Sequence, residues 1–216
     1  MKVLIIDNYD SFTYNLVYLV QSIIKQEVDV IRNDQVVFSE LEKYDKILLS
    51  PGPGVPDEAG KLKEVIAKFY KSKSILGVCL GLQAIAEVFG ANLENINQVY
   101  HGLATPVKVI RKDKLFKNIP SSFLGGRYHS WIVSSKKLPE CLQVSAVDTE
   151  QNIMALYHKK FDVSGVQFHP ESILTECGEQ IIKNWLFETD KTSIVLPSEG
   201  ANGFDITNLS SRLLFC

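Results

Sequence analysis

The chain lacks a long apolar run and an excess of charge of either sign. Although 45% of its 216 residues are hydrophobic, no stretch approaches the roughly 20 apolar residues that a membrane-spanning helix needs. Its 23 basic and 25 acidic residues give a formal net charge of −2, which leaves no electrostatic footprint for nucleic acid or for an acidic membrane surface. We therefore predict a globular protein that binds neither nucleic acid nor membrane, with enough apolar residues for one sizeable core.

Cysteine is also scarce, and its spacing excludes the usual metal-binding motifs. The four cysteines form no CxxC pair and no metal-type cluster; they lie at positions 79, 141, 177 and 216. The N-terminal run, residues 1–7, becomes charged too early for a signal peptide and is typical of a first strand. We predict no metal site, and a reducing cytoplasm as the location.

Apolar runs alternate with helical patterns through the first half of the chain. Short apolar runs at residues 3–6, 28–31, 46–50 and 74–78 show little alternation, as in strands that are buried on both faces. Between them, apolar residues recur at helical spacing from residue 12 to 24 and again from 62 to 69. This order predicts an α/β fold, with a single-domain, open, mostly parallel twisted sheet that carries helices on both faces.

The second half of the chain changes character. From about residue 92 to 168, alternating apolar and polar residues predict a smaller section of antiparallel strands. Residues 176–187 then predict a last amphipathic helix. We assign residues 1–188 to one domain. Residues 189–216 form a tail rich in Ser, Thr, Asn and Gly, whose role stays open between a family-specific extension, a partner-binding segment and a disordered terminus.

The run GVCLG over residues 77–81 has the pattern Gly-x-Cys-x-Gly, centred on Cys79. A buried strand precedes it, and residues 84–89 predict a helix that stops at Gly90. Such a strand–turn–helix exposes a nucleophile in hydrolases, and a helix N-terminus favours the reactive thiolate. The Leu80 N–H is placed to bond the oxyanion that forms when Cys79 attacks a carbonyl. On this run alone, a buried core cysteine is an equally good interpretation.

A second motif, GVQFHPES over residues 165–172, favours the catalytic interpretation. A short apolar strand ends there in His169, and Glu171 follows two residues later. In an extended segment both side chains point the same way. His169 can serve as base and acid, and Glu171 can orient its ring, which is the logic of a Cys-His-Glu triad completed by Cys79.

These motifs together resemble the class I (triad) glutamine amidotransferases. The resemblance lies in GVCLGLQA around Cys79, in GVQFHPES around His169 and Glu171, and in the loop SPGPG over residues 50–54. The start DNYDSFTYN, residues 7–15, is similar to the glutaminase subunits of anthranilate synthase and of aminodeoxychorismate synthase. The resemblance covers residues 1–188. It implies a flavodoxin-like fold and hydrolysis of the side-chain amide of L-glutamine by Cys79, His169 and Glu171.

The resemblance also implies a set of substrate-binding residues, namely Gly52, Pro53, Gly54, Leu80, Gln83, Ser130 and Trp131. The N–H groups of Gly52 and Leu80 are expected to form the oxyanion hole, because glycine lets a backbone approach the substrate closely. Ser130 and Trp131 are expected to hold the two ends of glutamine through backbone groups. His129 is expected to be structural, since no carboxylate lies within sequence reach.

The implied partner is a chorismate-using synthase subunit that receives the ammonia in a hetero-oligomer. No cofactor is expected for the glutaminase half-reaction, and Mg²⁺ is expected only on the partner. The partner can belong to anthranilate synthase, in tryptophan biosynthesis, or to aminodeoxychorismate synthase, in folate biosynthesis. A subunit that serves both synthases also stays open. Two other classes of protein also stay open, namely a non-catalytic binding module on the same fold and a stand-alone cysteine hydrolase.

The loop before the first predicted helix carries a candidate contact for this partner. Tyr9 follows the first strand, so we expect it at the same sheet edge as Cys79. An exposed tyrosine is a common interface anchor, and the resemblance implies that this edge faces the synthase. Asp10 or Ser11 is expected to cap the helix that follows.

Overall fold

The computed structural model describes residues 1–96 and 99–188. The strands are β1 (Val3–Asp7), β2 (Asp29–Arg32), β3 (Lys46–Leu49), β4 (Ser74–Val78), β5 (Leu93–Asn95), β6 (Leu103–Val109), β7 (Ser122–Arg127), β8 (Trp131–Val133), β9 (Leu142–Val147), β10 (Ile153–His158) and β11 (Val163–Val166). The helices are α1 (Thr13–Ile24), α2 (Phe38–Leu41), α3 (Leu62–Phe69), α4 (Leu80–Val88) and α5 (Gly178–Phe187), with a short 3-10 helix at Pro56–Glu58.

One large sheet organises the described residues. Its nine strands run in the order β2-β1-β3-β4-β11-β10-β9-β6-β7. The strands from β2 to β11 in this order pair in parallel, and the strands from β11 to β7 pair antiparallel. A second, two-stranded antiparallel sheet joins β5 to β8. The predicted α/β fold with an antiparallel section is confirmed, and most of the antiparallel strands continue the main sheet rather than forming a sheet of their own.

Helices cover both faces of the parallel half, and alternate strand residues point to opposite layers. Leu4 and Ile6 belong to the cluster that packs against α3 and α4. Val3 and Ile5 belong to the other cluster, which packs against α1 and α5. The buried residues of α5 include the predicted ones, Ile181, Ile182, Trp185 and Leu186. The sheet therefore separates two apolar cores, as expected of strands that are buried on both faces.

Some element bounds differ from the predicted ones. The helix after Cys79 begins at Leu80, four residues before the predicted start, because Gly81 and its neighbours are buried in packing that outweighs the low helix propensity of glycine. The last helix begins at Gly178 rather than at residue 176.

The tail, residues 189–216, lies outside the described residues. Within residues 1–96 and 99–188, none of the helices is both long and apolar enough to traverse a bilayer.

Candidate active site

Two neighbouring parallel strands, β4 and β11, carry the two sequence motifs to the same edge of the sheet. Val78 pairs with Val166 at the ends of these strands. The backbone N–H of Cys79 donates to the carbonyl of Val166 over 2.8 Å. The residues that follow each strand therefore lie side by side, although 88 positions separate Cys79 from Gln167.

Cys79 occupies a strained turn between β4 and α4. Its backbone has φ 52° and ψ −102°, a conformation that costs a non-glycine residue free energy and persists only where its surroundings enforce it. Here the close packing of two neighbouring glycines holds the turn in this conformation. A Cβ on Gly77 would lie 2.4 Å from the Gly81 backbone, and one on Gly81 would lie 2.6 Å from the Leu49 carbonyl oxygen. Cys79 is a buried free thiol at the N-cap of α4.

His169 and Glu171 form a buried pair beside this turn. The distance from His169 Nδ1 to Glu171 Oε1 is 2.7 Å, and the two side chains are 2% and 0% exposed. Burial alone would lower the pKa of His169, but hydrogen bonding and charge from Cys79 and Glu171 outweigh it and raise the pKa to about 10. This shift favours the charged form of the imidazole, whose Nδ1 contacts the Glu171 carboxylate directly.

Two aromatic rings enclose the histidine. The ring of Tyr128 lies 4.7 Å from that of His169, and the ring of Phe12 lies 5.6 Å away in an edge-on arrangement. Tyr128 also shares a hydrogen bond of 3.1 Å with Ser172. The helical spacing predicted from residue 12 fits the structure, in which Phe12 is the N-cap of α1. Its ring packs against the histidine.

The SPGPG loop lies against the start of α4. A Cβ on Gly52 would lie 2.7 Å from Leu80 Cδ2 and 2.6 Å from Asn8 Cβ, so only glycine fits between these neighbours. Gly54 has φ +71°, which glycine adopts at no steric cost. Pro53 lines a cavity together with Asn8, Tyr9, Asn33 and Asp34. Gly52 therefore lies against the side chain of Leu80, and the shared oxyanion hole formed by their N–H groups stays a prediction.

The remaining predicted substrate residues form an internal network. Gln83 is 2% exposed, and its Nε2 donates to the carbonyl of Trp131 over 2.9 Å. Its second contact, of 3.3 Å, is to Gln167 Oε1. The carbonyl of Ser130 accepts from the Ile96 N–H over 2.8 Å. Gln83 and Trp131 therefore lie near Cys79, and their role in binding glutamine stays a prediction.

His129 is held in place on both ring nitrogens. Its Nδ1 lies 3.0 Å from the Trp131 carbonyl, and its Nε2 accepts from Arg127 Nε over 3.1 Å. Burial and the neighbouring Arg127 charge lower the pKa of His129 to about 3, so the ring is neutral. Arg127 in turn pairs with Asp148 over 2.8 Å, both side chains being buried. These contacts fit the structural role expected for His129.

The loop from Asn8 to Phe12 lies at the same edge. Tyr9 is 50% exposed, its hydroxyl donates to Asp34 over 2.9 Å, and the Arg32 guanidinium lies over its ring. Asp10 accepts from the Phe12 N–H over 2.7 Å at the entry to α1, as expected of a capping side chain. The N-cap residue Phe12 itself makes no side-chain cap. In the described part of the chain, no group of three His, Cys, Asp or Glu side chains could hold a metal ion.

The comparisons with known proteins agree with this fold and with the sequence motifs. The sequence model of the family described as glutamine amidotransferase class-I matches residues 4–189. The chain therefore belongs to the class-I glutamine amidotransferases.

Individual relatives and a solved structure are similar to this chain over most of its length. The chain is 44% identical over 191 residues to anthranilate synthase component 2 of Pseudomonas aeruginosa, a match that covers 85% of this chain and 94% of that protein. It is 40% identical over 195 residues to the aminodeoxychorismate/anthranilate synthase component 2 of Bacillus subtilis, covering 89% and 99%. A crystal structure of a protein from Thermoplasma acidophilum, assigned to GMP synthase, matches with a TM-score of 0.78 and 27% identity, over 86% and 92% of the two chains.

Proposed function

We propose that this glutamine amidotransferase hydrolyses L-glutamine through Cys79, His169 and Glu171 and delivers the ammonia to a chorismate-using synthase subunit, as anthranilate synthase does in tryptophan biosynthesis. One observation carries the catalytic part of the proposal. A strained cysteine at a helix N-terminus lies beside a buried histidine that is bonded to a carboxylate. That is the arrangement that activates a thiol for attack on an amide.

The first half-reaction forms a thioester. The Cys79 thiolate attacks the side-chain amide carbon of glutamine, and the N–H groups of Gly52 and Leu80 stabilise the oxyanion. The His169 imidazolium donates its proton to the departing nitrogen, the C–N bond breaks, and ammonia leaves. The raised pKa of His169 supports this role, because the ring carries the needed proton at neutral pH.

The second half-reaction releases glutamate. His169, now neutral, takes a proton from a water molecule whose oxygen attacks the thioester carbon. The C–S bond breaks and the Cys79 thiolate returns. Glu171 holds the imidazole in the useful orientation and stabilises its cation. No cofactor takes part in these steps, and Mg²⁺ is expected only on the partner synthase.

The substrate pocket of the proposal is formed by the SPGPG loop and the start of α4. The backbone of Gly52, Pro53 and Gly54 lines one side, and Leu80 and Gln83 line the other. Ser130 and Trp131 hold the two ends of glutamine through backbone groups. The adjacency of Gly52 to Leu80 supports the shared oxyanion hole.

The main alternative is the equivalent subunit of aminodeoxychorismate synthase, in folate biosynthesis. The Bacillus subtilis relative is named for both synthases, so a subunit that serves both partners is also open. Purifying the protein from its own cells and identifying the bound synthase distinguishes these partners. A non-catalytic binding module would be inactive with every synthase. A hydrolase that works alone would be fully active without one.

The decisive experiment replaces the nucleophile. In the complex with its synthase, Cys79→Ser is expected to lower glutamine-dependent product formation by roughly 10³-fold or more, since triad members act as a unit. Ammonia-dependent product formation is expected to stay, because the acceptor chemistry belongs to the other chain. Both rates are measured side by side, and Cys177→Ser, which removes another free thiol, is the control. Equal loss of both activities would make Cys79 a structural residue.

A further inference from the structure

Gln167 is a buried polar side chain next to the proposed nucleophile. It follows β11 directly and is fully buried. Its Nε2 lies 3.5 Å from the sulfur of Cys79, within the range of a hydrogen bond to sulfur. The backbone bond from Cys79 to Val166 fixes this proximity. Neither half-reaction of the proposed mechanism uses Gln167.

The network around Gln167 determines which end of its amide faces the sulfur. The Trp131 carbonyl can only accept, so the Gln83 atom 2.9 Å from it must be the nitrogen. That nitrogen has a second hydrogen, which faces Gln167 over 3.3 Å and requires an oxygen there. The other end of the Gln167 amide, directed at Cys79, must therefore be its N–H₂ group.

The anchor of this network is a buried ion pair in the antiparallel half of the sheet. Arg127 can only donate, so its Nε–H fixes His129 Nε2 as an acceptor. The ring proton then lies on Nδ1 and is donated to the Trp131 carbonyl over 3.0 Å. Arg127 itself is bonded to Asp148 over 2.8 Å. A continuous series of bonds thus leads from Asp148 to the amide that faces the sulfur.

We propose that Gln167 is a hydrogen-bond donor to the Cys79 thiolate, which aims the sulfur and stabilises its charged form beside His169. The inference deepens the proposed function and rests on it. A hydrogen bond to a charged group favours the charged form, both before attack and when the thiolate leaves the thioester. The charged groups that face the sulfur are His169 and, behind it, Glu171, whereas the Gln167 amide donates at every pH.

The test measures how fast iodoacetamide alkylates Cys79 as a function of pH, read by mass spectrometry in the full-length protein. The variants are Gln167→Met, which keeps the approximate shape and removes the donor, and Gln167→Leu, a shorter uncharged side chain that also removes it. Losing a hydrogen bond to a charged group corresponds to about 10- to 100-fold in an equilibrium or a rate. We therefore expect the alkylation midpoint to rise by about one pH unit and kcat for glutamine in the synthase complex to fall by about 10- to 100-fold.

Two controls separate this role from a structural one. Gln180→Met removes an amide hydrogen bond of 2.9 Å to Asn184 on α5, away from Cys79, and is expected to change neither readout. Cys177, a second free thiol, reports in every variant whether alkylation itself has changed. An unchanged Cys79 midpoint in Gln167→Met, with a lower Tm only, would overturn the proposal.

The two remaining results are also decisive. If Gln167→Met fails to fold, the same midpoint is read in Gln167→Leu, where an unchanged value overturns the proposal and a raised value supports it. If the wild-type complex hydrolyses no glutamine, the proposed function fails. The alkylation profile needs no glutamine, so it still supports or overturns the contact between Gln167 and Cys79.

Discussion

The parallel and antiparallel halves of the main sheet contribute to the site in different ways. The parallel half contributes backbone geometry, namely the strained turn at Cys79, the SPGPG loop after β3 and the loop after β1. The antiparallel half contributes buried polar side chains, namely Arg127 at the end of β7 and Asp148 after β9. The two meet at β11, which pairs in parallel with β4 and antiparallel with β10.

This difference shows why the chemistry lies where it does. Parallel strands end together at one edge, so loops far apart in sequence converge there without any side-chain contact. The antiparallel half has no such convergence, and it acts through a series of hydrogen bonds that each depend on the one before. Changes in the parallel half should therefore affect the reaction directly, whereas changes in the antiparallel half should first affect stability.

The largest effect is expected from Glu171→Gln, at the edge of the parallel half. The amide removes the charge that stabilises the His169 cation, so kcat for glutamine in the synthase complex should fall by roughly 10² to 10⁴-fold. Ammonia-dependent synthesis should stay, and steady-state kinetics with both nitrogen sources measure the two. Glu179→Gln, on the exposed side of α5, is the matched control. A kcat within a few-fold of wild type would remove Glu171 from the triad.

Arg127→Met tests the antiparallel half. The variant leaves the Asp148 carboxylate buried without its partner, which costs about 3–5 kcal/mol of unfolding free energy. Urea denaturation measures this loss. Lys183→Met breaks an exposed pair with Glu179 on α5 and should leave stability unchanged. A loss in Arg127→Met no greater than in this control would mean that the buried pair contributes no more than a surface pair.

A smaller effect is expected at the loop after β1. Tyr9→Ala should weaken association with the synthase roughly 10-fold in Kd, a typical value for an exposed aromatic anchor, and leave the isolated protein folded. Calorimetric titration into the synthase measures Kd. Tyr9→Phe removes only the bond to Asp34, and Tyr18→Ala removes an exposed ring on α1. An unchanged Kd for Tyr9→Ala would move the interface away from this loop.

The last effect is a pH dependence of stability that comes from His169. Its pKa is raised to about 10 in the folded protein, above the ordinary value of about 6.5 in the unfolded chain. Its contribution to stability is thus full below about pH 6.5 and is lost as the pH rises through about 10. The difference in unfolding free energy between wild type and His169→Asn should therefore shrink from pH 6 to pH 10. A difference that grows with pH would show that the folded pKa is lowered.

Much of the fold followed from local patterns. The alternation of buried runs with helical spacing placed β1, β3, β4 and α3 within a residue or so of their observed bounds. The antiparallel character of the second half was also predicted, because period-2 alternation records a strand directly. The start of α4 was missed, since glycine at 81 weakens the helical signal although packing against β3 requires it.

His169 and Glu171 are neighbours as predicted, but the predicted reason is wrong. Strand β11 ends at Val166, and the two residues lie in a turn in which the Ser172 N–H donates to the His169 carbonyl over 3.2 Å. The folded chain was needed to show that Gln167 faces Cys79, that Phe12 packs on His169, and that Arg127 and Asp148 anchor the network. These contacts join segments that are far apart in sequence. They depend on which strands become neighbours and in what register, and short-range periodicity carries no record of that choice.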